Sequence, residues 1–173
     1  MPVIKSRKAR RLVAGVTAVA LGSAVAVATA APASAQEVFN LPAGTACDFA
    51  LRIEQTGGNR IMREFTDRNG NVVRTLEAGK GFDLEFTNLE SGESIAFPSH
   101  GSVSQTRFNA DGSSTVQATG HNVVSFFPTD VPAGPSTTLY TGRLVYDVST
   151  EGVFTLQSVS GRTTDICALL AGN

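Results

Sequence analysis

From Cys47 onward, apolar and polar side chains alternate with a period of two, the pattern of strands lying on a core. Cys47, Phe49, Leu51 and Ile53 alternate with Asp48, Ala50, Arg52 and Glu54. Phe82, Leu84 and Phe86 alternate with Asp83, Glu85 and Thr87. Tyr140, Leu144, Tyr146 and Val148 share one parity, as do Phe154 and Leu156. Each run turns one face to a core and the other to water, as antiparallel sheets do. Val123-Val124 and Phe126-Phe127 break the alternation, which predicts a strand covered on both faces and therefore central.

Turn chemistry separates the runs. Arg68-Asn69-Gly70-Asn71 contains Asn-Gly, a strong hairpin signal because the turn needs φ > 0, and it joins Ile61–Thr66 to Val72–Glu77. Asp111-Gly112 joins Val103–Phe108 to Thr115–Ala118. Gly79-Lys80-Gly81, Glu90-Ser91-Gly92 and Pro98-Ser99-His100-Gly101 are further breaks. Pro128 to Pro135 holds three prolines and a glycine, so it reads as a stiff crossover loop; a central strand would need the donors that proline lacks. Only Asp165–Ala171 suggests a helical turn. The sum is an all-β domain of about nine short strands, an antiparallel β-sandwich or flattened barrel, with Cys47 in its first strand.

The N-terminus obeys different rules. Lys5, Arg7, Lys8, Arg10 and Arg11 form a basic head, and Leu12 to Ala30 follows without a charge. Ala33-Ser34-Ala35 is a small-x-small site, so residues 1–35 read as a secretory signal cut between Ala35 and Gln36. A membrane anchor is the rival reading, weakened by the many Ala, Gly, Ser and Thr residues of the apolar run. The Arg10-Arg11 pair lacks the strongly apolar followers of a twin-arginine signal, although the export route stays open. The expected product is one secreted domain, residues 36–173.

Removing the basic head leaves nine Lys and Arg against fifteen Asp and Glu, a net charge of −6. Such a surface repels phosphate backbones and anionic lipid, so neither nucleic acid nor, after signal removal, a membrane is an expected partner. The two cysteines of an exported chain read as one bridge, Cys47–Cys167. It closes a loop of about 120 residues, for which chain entropy alone gives roughly 4–5 kcal/mol.

Candidate chemistry is sparse. His100 falls in a probable turn and His121 at a probable strand start, with no His-x-His and no acidic residue within three positions of either. Both read as plain surface or turn residues; no metal, cofactor or catalytic residue is assigned. Asp67-Arg68-Asn69-Gly70-Asn71 opens like a calcium loop, but Val72 stands where that loop needs Gly and Ala78 where it needs Glu. No Gly-x-Ser-x-Gly elbow occurs.

Thr87-Asn88-Leu89, the stretch from Phe127 to Arg143, and Val153–Gln157 with the ending Thr164-Asp165-Ile166-Cys167-Ala168-Leu169 resemble secreted proteins of actinobacteria. That family has no assigned activity. The resemblance implies an exported β domain with a terminal bridge, and brings no substrate or catalytic residue. Function is therefore expected to be non-catalytic, the binding of an envelope or extracellular ligand, with the proline-rich loop and the His100 turn as contact surfaces. A small hydrolase or lyase using carboxylates is the alternative, and a protease inhibitor presenting residues 128–135 is a third.

Overall fold

The computed structural model describes residues 36–172. The signal segment, including Ala35, lies outside the described residues. Ten strands follow in chain order: β1 (Glu37–Leu41), β2 (Leu51–Thr56), β3 (Ile61–Thr66), β4 (Val72–Lys80), β5 (Asp83–Asn88), β6 (Ser94–Phe97), β7 (Gly101–Phe108), β8 (Ser114–Phe126), β9 (Ser136–Val148) and β10 (Phe154–Asp165). One short helix, α1 (Ile166–Leu170), ends the domain. The strands form two antiparallel sheets, β1-β2-β5-β6 and β10-β9-β8-β7-β4-β3. Packed together they make a sandwich.

The hairpin turns sit where Asn-Gly and Asp-Gly place them. Gly70 and Gly112 both have positive φ. The Asp67 carboxylate accepts from the Asn69 and Asn71 amides at 2.8 and 2.9 Å, so the stretch that opens like a calcium loop is turn architecture.

Two expectations need correction. Cys47 lies in the turn before β2, not in a strand, and the first strand is β1. Its apolar Val38 and Phe39 are neighbours in sequence and both about 40% exposed, so no period of two marked it. His121 lies within a single strand of 13 residues, β8, and not at a strand start.

β8 is central, paired with β7 on one side and β9 on the other. Up to Gly120 it alternates: Val116 and Ala118 are buried, Gln117 and Thr119 exposed. Beyond Gly120 no residue of the strand is exposed. There Val123 packs on a core cluster with Leu51 and Phe86, and Val124 and Phe126 on a second cluster with Tyr140 and Leu144. The non-alternating run reports coverage on both faces.

The change falls on a row of glycines. Gly79 pairs with Ser102, Ser102 with Gly120, Gly120 with Gly142, and Gly142 with Gly161, one register line across five strands. All four glycines have positive φ, between 92° and 141°. A Cβ on Gly120, Gly142 or Gly161 would lie 2.2–2.4 Å from a backbone carbonyl of the next strand. Such lines of glycine let long strands bend together.

The disulfide joins Cys47 to Cys167 with Cα atoms 5.6 Å apart. It is packed by Ile166, Leu170 and Phe49. Fully buried Thr137 of β9 donates its hydroxyl to Ala46 O at 2.9 Å and its amide to Cys167 Sγ at 3.2 Å. Asp165 caps α1 by accepting from Ala168 N at 2.9 Å, which aims Cys167 at the turn. The bridge thus ties the first turn of the sandwich to its last element.

Candidate functional site

Between the sheets lies a cavity of about 540 Å³ that opens to solvent. One wall comes from the four-stranded sheet and is largely apolar: Ile53 of β2, Leu84 and Phe86 of β5, and Phe97 of β6. Phe97 meets Phe86 edge to face at 5.9 Å, an arrangement that fixes both rings. The opposite wall, from the six-stranded sheet, mixes Val123, Leu139 and Leu144 with Ser102, His121 and Asn122. The corner Pro98-Ser99-His100 joins the two walls.

At that corner the two histidines meet. The rings of His100 and His121 lie 4.2 Å apart, centroid to centroid, edge to face. Sequence separation hid this: the residues are held together by strand register. Counting outward from the Asp111-Gly112 turn sets Ser102 opposite Gly120, and the next step brings His121 beside the start of β7. The hairpin signal was thus enough to place them together, had its register been carried to the far end. Burial holds the His121 imidazole below its ordinary value of 6.5, and the neighbouring His100 adds to the same direction. Neutral imidazoles offer one N–H and one lone pair each.

Other polar groups line the same cavity. The Asn122 Nδ2 and Ser99 Oγ atoms are buried and have no protein hydrogen-bond partner. Ser99 N donates to Asp83 Oδ1 at 2.6 Å, which fixes the corner and draws that carboxyl below its usual range. Glu77 is the one carboxylate on the cavity wall. Arg60 Nε lies 2.9 Å from its Oε1, close in charge though not aligned as a hydrogen bond. Deeper in, Tyr146 stacks on Phe154 at 5.2 Å, and burial raises its hydroxyl above the ordinary value.

Among the described residues no group of three or more His, Cys, Asp or Glu side chains is placed to hold a metal ion. Carboxylates do gather on the four-stranded sheet, where Glu54 and Glu85 are register partners. Glu54 is engaged by Arg52 and by Gln36, each at 2.5 Å. Gln36, the residue after the expected cleavage point, is thereby tied to β2.

The proline-rich loop is a folded unit. Asp130, only 5% exposed, accepts from Phe127 N at 2.6 Å and from Phe154 N at 2.8 Å. Val131 bridges to β10 through Phe154 O at 2.8 Å and Leu156 N at 2.7 Å. A Cβ on Gly134 would lie 1.8 Å from Phe126 O, so only glycine fits there. The loop closes one flank of the second core cluster.

Among the described residues no helix is long and apolar enough to cross a membrane. Compared with protein-family models, curated proteins and solved structures, the chain matches none.

Proposed function

We propose that this protein is a secreted, non-catalytic binding domain that holds a small molecule between its two sheets. The observation that carries the proposal is the cavity itself. About 540 Å³ falls within the roughly 300–1,000 Å³ of small-molecule sites. Its apolar wall from the four-stranded sheet suits the hydrocarbon part of a ligand, and the facing wall adds polar side chains, among them Ser102, His121 and Asn122, that can orient it. Export is supported by the basic head, apolar run and Ala33-Ser34-Ala35 site, together with a disulfide suited to an oxidising compartment.

Carboxylate catalysis draws less support, because the cavity's single carboxylate is occupied by Arg60. An inhibitory loop draws less too, since Asp130 and Val131 tie residues 128–135 back onto β10. The test is titration with a neutral hydrophobic dye such as Nile red. Wild type should bind it with a saturable rise in fluorescence. Ala118→Phe, which grows from a cavity-lining position, should abolish the rise while keeping a strand-type circular dichroism spectrum. Equal binding by both folded proteins would place the dye elsewhere and count against the proposal.

A further inference from the structure

We infer that the ligand is an amphipathic organic acid, with its hydrocarbon body against Ile53, Leu84, Phe86 and Phe97 and its carboxylate at the corner of Ser99, His100, His121 and Asn122. This rests on the cavity being a ligand site. Unmet hydrogen bonds point to it. Buried donors without partners are costly, about 1–3 kcal/mol each, so native proteins leave few of them. Here the Asn122 amide nitrogen, which only donates, and the Ser99 hydroxyl are both buried and unpaired on the wall of one cavity. The two imidazoles nearby each bring an N–H as well as a lone pair, and no negative charge. The corner therefore asks for acceptors.

An ammonium head would meet the opposite situation. It needs acceptors, and the carboxylates within reach are already engaged: Glu77 faces Arg60 at 2.9 Å, and Asp83 accepts from Ser99 N at 2.6 Å. A fully polar ligand is disfavoured by the facing wall, where all four side chains named above are core residues or packed on them, and where burial of hydrocarbon supplies about 25 cal/mol per Å². A carboxylate on an apolar body satisfies both walls at once. A carboxylate accepts at two oxygens and so serves several donors together, and such charge-assisted bonds are the strong ones.

Isothermal titration with decanoic acid, decanol and decylamine separates the possibilities. The expected result is that the acid binds about tenfold more tightly than the alcohol and the amine more weakly than either. In a folded His100→Ala/His121→Ala variant the acid should fall to the level of the alcohol, whose affinity stays put. The comparison of head groups on wild type needs no variant and decides the matter even if the double substitution unfolds the protein. Equal affinities, or preference for the amine, would overturn the acid assignment while leaving the cavity as a binding site. Failure of all three chains to bind, together with a negative dye titration, would overturn both.

Discussion

Gly142→Ala is the substitution whose cost the geometry states most directly. Gly142 sits at φ 141°, opposite Gly161 on β10, and an added Cβ would lie 2.2 Å from Ser160 O and 3.0 Å from Gly161 Cα. Ordinary carbon–oxygen approaches between strands are about 3.3–3.6 Å, so β9 and β10 must part by roughly 1 Å at that point. One or two ladder hydrogen bonds are lost, at about 0.5–1.5 kcal/mol each. The positive φ adds about 1–2 kcal/mol for any residue with a Cβ. The expected destabilisation is about 2–5 kcal/mol, a large part of the roughly 5–15 kcal/mol that holds a domain. Gly152→Ala is the control: its φ is 83° and no atom lies within 4 Å of the added Cβ. It should cost only the backbone term, about 1–2 kcal/mol. Urea unfolding of both variants with the disulfide intact measures the difference. If Gly142→Ala proved no more costly than Gly152→Ala, the close approach along the glycine row, and the bend attributed to it, would be refuted.

Replacing both cysteines by serine should remove roughly 4–5 kcal/mol through the 120-residue separation, and the same loss should appear when wild type is unfolded in reducing buffer. Asp130→Asn leaves one acceptor oxygen for two amides, those of Phe127 and Phe154; urea unfolding should show a loss of about 1–3 kcal/mol. The pH dependence near neutrality follows from His121. Its folded pKa lies below 6.5, so as pH falls the unfolded chain takes the proton first and stability declines from about that pH downward. Melting temperatures between pH 7.5 and 5 should therefore fall less steeply in His121→Gln than in wild type; parallel curves would show that His121 does not carry the effect.

The legible part of this fold was local. Alternation marked β2, β5, β9 and β10, and Asn69-Gly70 and Asp111-Gly112 marked two hairpins, because strand period and turn chemistry are written into neighbouring residues. Cys47 and Cys167 were enough for the bridge because two cysteines allow one pairing. The site was far less legible. Its walls come from both sheets, and the packing of Val123 onto the cluster of Leu51 and Phe86 depends on how sheets pack, which no short window records. The glycine row stood in plain view as Gly79, Gly120, Gly142 and Gly161, but only register aligns it. No local pattern marks Asp130, since one of its two donors sits on the distant β10. The histidines belong to the same class: 21 positions apart, they meet because β7 and β8 are antiparallel.

The claim on which the functional account stands is that a small molecule enters between the sheets. Amide chemical-shift mapping of the ¹⁵N-labelled domain during titration with decanoic acid tests it residue by residue. The account predicts saturable shifts at Leu84, Phe86, His100, His121 and Val123, with residues 128–135 unmoved. Shifts confined to the proline-rich loop or to the exposed strand β3, or none at saturating acid, would contradict it.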